Sequence, residues 1–289
     1  MKKHICNVDF FKETLSEKDF KILSSFIEKE CGIQMPPSKK ILLESRLRKR
    51  LRALGFNNFK DYINFVFNSN DGRYEIVNLI DVVTTNKTEF FREKAHFDFL
   101  LKEGLPNLLP LIEDKGIIKV WSAACSSGEE PYSILITLSE FAEVNKEIRD
   151  FYVLGTDICT RMLEKAREAI YPMSSVENIP FEILKKYFLK SKDKSLGLVK
   201  VIRELREKLH LKRLNLMDEV YDIKDSFHIV FCRNVLIYFS KENQIKIIKK
   251  LIRHLITKGY LILGHSETVL DSSLALKRVG PSIFLKLGD

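Results

Sequence analysis

Val120-Trp121-Ser122-Ala123-Ala124-Cys125-Ser126-Ser127-Gly128-Glu129-Glu130-Pro131-Tyr132 joins two kinds of patterning. The apolar run from Ile117 to Trp121 stops at a series of small residues ending in Gly128, and a helix-like pattern opens at Glu129-Glu130-Pro131. The reading is strand, tight turn, helix. Small residues let a ligand lie close against the backbone, and carboxylates at a helix N-terminus suit a ligand that carries positive charge. S-adenosylmethionine, with its sulfonium and ammonium, is such a ligand. The turn has one glycine rather than G-x-G-x-x-G and no Walker lysine, so a diphosphate cradle is disfavoured and a nucleoside without phosphates fits better.

Beyond this stretch the pattern alternates. A helix over 129–143 leads to a strand, Phe151 to Asp157, and then to a helix near 160–169. A strand over 209–213, a buried strand from Phe227 to Cys232, a helix capped by Ser240 and a strand from Gly259 to Leu263 follow. Leu274–Val279 and Ser282–Leu287, around Gly280-Pro281, read as a closing β-hairpin. Repeated β-α units predict a parallel sheet covered by helices on both faces, with ligands at the carboxyl ends of its strands. Four strand ends then line one crevice: the 122–130 turn, Asp157, Asn215-Leu216 and Arg233-Asn234. Asp157 either accepts hydrogen bonds from two ribose hydroxyls or caps the helix at 160. One part breaks the alternation, a small antiparallel insertion at about 187–211 with a charged turn ending at Gly197.

The first 84 residues read as a small helical bundle, and residues 85–289 as the α/β domain. Ser16 with Asp19 forms a capping box, and Gly32 ends the first helix. Ser38 caps a second helix that stops at Gly55, with Leu43, Leu47, Leu51 and Leu54 on one stripe. Lys39, Lys40, Arg46, Arg48, Lys49, Arg50 and Arg52 cover the rest of that helix, facing only Glu44. Such a face is either simply solvated or docks an acidic partner. No helix-turn-helix glycine pattern, RNP-like run or aromatic interleaving marks it for nucleic acid, so a protein partner outranks one. The polar segment Thr84–Arg92 is a linker between domains or a lip of the site.

Composition bounds the class. With 45% hydrophobic residues in 289, the chain can bury a substantial core. No apolar run approaches the ~20 residues that cross a bilayer, and Met1-Lys2-Lys3 opens no signal peptide, so membrane insertion is not expected and the cytoplasm is the expected location. The 5 cysteines are isolated from one another and from zinc-type spacing, which predicts neither disulfides nor a metal. A net charge of +9 suits an acidic partner, though solubility alone also produces it.

Four segments together carry a family resemblance: Val120 to Ser133; Thr85-Asn86-Lys87-Thr88-Glu89-Phe90-Phe91-Arg92; Phe231-Cys232-Arg233-Asn234-Val235-Leu236-Ile237-Tyr238-Phe239; and Gly264-His265-Ser266-Glu267. They resemble the signature segments of the chemotaxis receptor methyltransferases, the CheR family, in the right order over essentially the whole chain. The resemblance implies a Rossmann-like S-adenosylmethionine-dependent domain with a small antiparallel β insertion, preceded by an all-α domain. It implies methyl transfer to glutamate side chains on the cytoplasmic helices of chemoreceptors, with S-adenosylhomocysteine as product. By position, Asn86, Thr88, Arg92, Glu130, Asp157, Asn215, Leu216, Arg233 and Asn234 are the expected cofactor contacts, with Arg92 and Tyr238 at the methyl-transfer site. The basic helix is the expected receptor-docking surface, and the β insertion docks a receptor C-terminal peptide in some members. A monomer is the expected state.

Each assignment has a plainer alternative in the residues themselves. Arg92 can pair with Glu89 or Glu93 on a helix, Tyr238 can be a core aromatic, and Glu130 can be a favourable first-turn charge. Two other functions also compete. Nucleic-acid methylation fits the net charge, but amino-methylating enzymes commonly carry Asn/Asp-Pro-Pro-aromatic where this chain has Arg233-Asn234-Val235-Leu236. A non-enzymatic adaptor requires a degenerate pocket, and the pocket residues show no obvious loss.

Overall fold

The computed structural model describes residues 14–112 and 116–288. Met1-Lys2-Lys3 and Cys6 lie outside them. The chain divides into two compact units, Met1–Thr84 and Thr85–Asp289.

Among the described residues the first unit has four α-helices: α1 (Glu17–Cys31), α2 (Lys40–Leu54), α3 (Phe59–Asn68) and α4 (Gly72–Val83). Its ends are set by local chemistry. Ser16 Oγ accepts the Asp19 amide at 3.0 Å, and Gly32, at φ 69°, donates to the Glu28 carbonyl. Ser38 does not cap α2; it sits inside a 3-10 turn, Pro37–Lys39, which Pro37 opens because its fixed φ and missing N–H suit a first turn. Leu43, Leu47 and Leu51 are buried, whereas Leu54 is 40% exposed where Gly55 turns the chain away. The basic face is also less lonely than its sequence. Arg48 pairs with Glu44, Lys40 with Glu17, and Arg50 with the buried carboxylate of Glu75. Glu75 also accepts from Tyr62 Oη at 3.1 Å and Asn78 Nδ2 at 2.9 Å.

The second unit begins with a helical stretch, α5 (Ala95–Phe99), a π-helical turn at Leu100–Gly104 and α6 (Leu105–Leu108). Pro106 has no N–H to donate, and the Leu105 amide reaches back five residues to Leu100, which widens the turn. There follow β1 (Ile117–Ala123), α7 (Glu129–Val144), β2 (Asp150–Asp157), α8 (Thr160–Glu168), β3 (Ile170–Pro172), α9 (Phe181–Tyr187), β4 (Phe188–Lys190), β5 (Leu198–Val201), α10 (Arg203–Glu207), β6 (Leu209–Arg213), β7 (Phe227–Cys232), α11 (Lys241–Arg253), β8 (Leu255–Leu263), β9 (Leu276–Gly280) and β10 (Ile283–Lys286).

Seven strands form one sheet in the order β6-β2-β1-β7-β8-β10-β9. The first five are parallel, and the terminal hairpin joins antiparallel at β8. Both faces are buried, as the period of two demands. Ile118, Val120, Ile229 and Phe231 pack with α7 on one face, while Trp121, Ala123, Val230 and Cys232 pack with α11 on the other. Trp121 keeps its indole N–H satisfied at Thr156 Oγ1, 3.0 Å away.

The inserted sheet takes its strands from β3, β5 and β4, so it begins earlier than the expected 187–211, and 209–213 belongs to the main sheet. Ala169, in the left-handed region at φ 55°, turns the chain out of α8 into β3. The charged turn closes with Asp193 accepting the Ser195 amide, a 3-10 turn and Gly197 at φ 55°. Cys31, Cys125, Cys159 and Cys232 are free and buried, and no helix among the described residues is long and apolar enough to cross a membrane.

Candidate active site

β1 lies between β2 and β7, so the chain leaves it first to one side and later to the other. The crevice of such a sheet opens at that point, beyond the carboxyl ends of β1, β2 and β7. The 122–128 turn fills it with unusual backbone. Ala124, Ser126 and Gly128 all have positive φ, at 70°, 49° and 100°. Small side chains tolerate this, and Gly128 is required: a Cβ there would stand 2.9 Å from Ala166 Cβ. The Ala124 and Cys125 amides donate to the Thr156 carbonyl, pinning the turn to the end of β2.

Asp157 locks the same junction. Its carboxylate accepts the Ser126 amide at 2.8 Å and the Cys159 amide at 2.9 Å. The second bond is an Asx-type turn leading into α8, whose N-cap position is held by Cys159 rather than Asp157.

Glu130 lies in the first turn of α7 and turns back onto the sheet. It accepts from Ser122 Oγ at 2.7 Å and from Arg233 at 3.2 Å. Burial pushes its carboxyl above the usual range, against the opposing pull of Arg233 and Ser122. A partly buried carboxylate with a raised pKa has an unmet demand for positive charge.

Arg233 ends β7 with its side chain almost wholly buried. It bonds Glu130, Glu93 at 3.1 Å and the Arg92 carbonyl, while its Nε is buried without a partner. Asn234, at φ 57°, donates through Nδ2 to Glu93 at 3.0 Å. Behind this turn stands Glu267, 6% exposed, which accepts the amides of Asn234, Val235, Leu236 and Gly264 at 2.7–2.9 Å. The turn leads into a 3-10 helix, Leu236–Tyr238, that leaves Tyr238 half-buried.

The segment from Thr85 to Lys94 belongs to the second unit and covers the strand ends as a lip. The Asn86 carbonyl accepts from Ser126 Oγ at 3.2 Å, and the Phe91 amide donates to Ser133 Oγ at 2.9 Å. Thr88 lies half-buried between these anchors. Arg92 pairs with neither Glu89 nor Glu93 and is not helical. It stands between Phe91 and Glu93, both left-handed at φ 52° and 57°, and its guanidinium donates to the Lys87 carbonyl at 3.0 Å. Asn215 and Leu216 follow β6, which the Leu214 amide ties to the Asp157 carbonyl. Asn215 Oδ1 accepts the Met217 amide at 3.0 Å, and the Leu216 carbonyl accepts from Tyr221 and Lys250.

The structure thus brings Arg92, Glu130, Arg233 and Asn234 into one network, with Asn86 and Asp157 around the 122–128 turn. Two members escaped the sequence assignments. Glu93 was weighed only as a partner for Arg92, and Glu267 only as part of a motif; their long-range partners lie 140 and 33 residues away in sequence. Glu93, His96 and His265 do place ligand-type atoms within 4.8 Å of one another. The Arg233 guanidinium on the shared Glu93 oxygen opposes a metal cation there.

Comparisons with known proteins bear on both units. Residues 18–84 match the CheR methyltransferase all-alpha domain, and residues 86–283 match the CheR methyltransferase SAM binding domain. A chemotaxis protein methyltransferase from Borreliella burgdorferi is 38% identical over 97% of this chain and 96% of its own. One from Escherichia coli is 36% identical over 88% of this chain and 85% of its own, and chemotaxis protein methyltransferase 2 of Pseudomonas aeruginosa 32% identical over 93% of each. The all-α unit, the mixed α/β sheet, the pinned 122–128 turn and these matches agree: the chain belongs to the CheR family of S-adenosylmethionine-dependent chemotaxis protein methyltransferases.

Proposed function

We propose that this protein transfers a methyl group from S-adenosylmethionine to glutamate side chains on the cytoplasmic helices of chemoreceptors, giving glutamate γ-methyl esters. The observation that carries the reading is Arg92. On the lip of the strand-end crevice it is a guanidinium whose one hydrogen bond is to a backbone carbonyl, so it keeps donors for an incoming carboxylate.

The residues fit the cofactor by their chemistry. Glu130 supplies the negative charge an ammonium needs, Arg233 stands behind it as its counter-charge, and Arg92 faces both the cofactor and the methyl-transfer site. Asp157, at the carboxyl end of β2, is placed to meet the ribose hydroxyls. Asn86, Thr88, Asn215, Leu216 and Asn234 complete the expected contacts from the lip and the neighbouring strand ends. The bound cofactor supplies an electrophilic methyl on a sulfonium.

The substrate glutamate is already ionised at neutral pH, so no general base is needed. Arg92 holds the carboxylate in line, and Tyr238 orients one oxygen through its hydroxyl. Transfer of that methyl to the carboxylate would reduce charge on both partners and would require no proton transfer from Arg92 or Tyr238. Such a step gains most from orientation and from a preorganised, water-poor site.

For docking, α2 presents its positive charge to an acidic receptor helix. Lys49 and Arg52 are exposed toward its C-terminal end, and Lys39, Lys40 and Arg48 add charge along the rest of its length. Arg50 is committed to Glu75, and Arg46 to the Val83 and Thr84 carbonyls. The inserted sheet is a further docking edge for a receptor tail, and the working unit is a monomer.

A mass map of receptor peptides after incubation with labelled S-adenosylmethionine tests the reading. Base-labile label on receptor glutamates is expected. Label confined to another residue type or another substrate class, nucleic acid included, sinks it.

A further inference from the structure

We propose that Glu93 is the positioning residue that sets where Arg92 stands, by locking the Thr85–Lys94 lip onto the turn that carries Arg233 and Asn234. The proposal rests on the reading of Arg92 given above. Glu93 gathers three donors from two separate places. Oε1 accepts Asn234 Nδ2 at 3.0 Å, and Oε2 accepts Arg233 at 3.1 Å and the His265 amide at 3.2 Å. These come from the end of β7 and from the loop after β8, so one carboxylate joins the lip to two strand ends.

The charge is held there firmly. Burial pushes the Glu93 carboxyl up, but the Asn234 bond, the Arg233 guanidinium and the His265 amide outweigh it and leave the group below the usual range. Glu93 is therefore an anion at neutral pH. Beside it His96, 1% exposed, is pushed down to about 4 by burial and by Arg233, so it stays neutral and adds no competing charge.

Arg92 is held from its C-terminal side by this arrangement, and from the other side by the Phe91 amide on Ser133 Oγ. Its carbonyl accepts from Arg233, and the side chain of the next residue is Glu93. The left-handed φ of Phe91 and Glu93 is costly for non-glycine residues and persists where surroundings over-determine it. The backbone of Arg92 is fixed while its guanidinium keeps a single bond to Lys87. Catalytic groups require that combination: a placement error near 1 Å costs about a hundredfold in rate.

A double-mutant cycle on the full chain tests this, with turnover at saturating receptor and S-adenosylmethionine as the readout. Glu93→Gln, which keeps the shape and removes the charge, is expected to lower kcat about tenfold or more. In the Arg92→Ala background the same change is expected to cost less than threefold, because the misplaced group is already gone. Glu93→Asp, which keeps the charge on a shorter arm, should recover part of the loss. Equal fold-losses from Glu93→Gln in the two backgrounds overturn the positioning role and leave the Arg92 reading intact. Wild-type turnover by Arg92→Ala overturns both. If Glu93→Gln is recovered unfolded, Glu93→Asp carries the same cycle with the same criteria.

Discussion

Two carboxylates in this molecule, one buried and one partly buried, each gather an arginine, and they do different things. Glu75, in the helical unit, accepts from Arg50, Tyr62 and Asn78, all within the same bundle. Glu93, in the α/β unit, accepts from Arg233, Asn234 and His265, which belong to segments expected at the cofactor. The first network closes on itself and leaves nothing for a ligand. The second leaves Arg233 Nε without a partner and stops next to Arg92, whose guanidinium is scarcely used. An ion pair therefore becomes functional here through what it leaves unsatisfied, more than through its own strength.

Arg92→Ala presses hardest on that contrast. Its guanidinium contributes one half-exposed bond to the fold, so the thermal midpoint should stay within a degree or two. Receptor methylation should fall about a thousandfold, ~4 kcal/mol of transition-state stabilisation, in the range of losing one preorganised donor. Initial rates with labelled cofactor and a melting curve on the same preparation check it. A stable variant with near-normal turnover would place the carboxylate-holding group elsewhere.

Arg50→Ala is the mirror experiment. It strands Glu75, 4% exposed, with only Tyr62 and Asn78, and should cost the helical unit about 3 kcal/mol in urea unfolding. S-adenosylhomocysteine binding by the other unit should hardly change. Loss of cofactor binding in parallel would show that the two units do not unfold separately.

The contrast also explains what sequence could and could not reveal. The β-α alternation, the 122–128 turn and the strand-end positions of Asp157, Arg233 and Asn234 follow from hydrophobic period and small-residue chemistry, and all are where those signals place them. Ser38 failed because Pro37 competes for the first turn. Leu54 is exposed because it is the last residue of α2, where Gly55 turns the chain away. The partners of Arg50 and Glu93 lay beyond any local pattern, since an ion pair across 25 or 140 residues leaves no periodic trace. For that reason a run of arginines in α2 looked uniform, although Arg46 and Arg50 are used inside the unit and Lys49 and Arg52 are exposed.

Glu130→Gln sharpens the site's own electrostatics. Burial holds the Glu130 carboxyl high, and a bound ammonium favours its charged form. Cofactor affinity should therefore fall as pH drops through that raised pKa, because protonation removes the charge the ligand needs. Calorimetry with S-adenosylhomocysteine between pH 5 and 8 should show this slope for the wild type. The Gln variant should bind about tenfold more weakly at pH 8, ~1.4 kcal/mol, with a flatter profile. A wild-type slope retained in the variant would assign the titration to another group.

The smallest effect belongs to the exposed end of α2. Surface charges act through water and salt, so each contributes little, and their influence falls on association more than on chemistry. Lys49→Glu with Arg52→Glu should raise the KM for receptor about fivefold at low salt, with kcat at saturation and S-adenosylhomocysteine affinity unchanged. At several hundred millimolar salt the difference from wild type should nearly vanish. Arg46→Glu and Arg50→Glu should behave otherwise, because Arg46 bonds the Val83 and Thr84 carbonyls and Arg50 a buried carboxylate. Their loss should appear as lower stability that salt does not restore. If the two pairs instead give the same salt-sensitive rise in KM, the division between structural and docking arginines on this helix is wrong, and all of them face the receptor together.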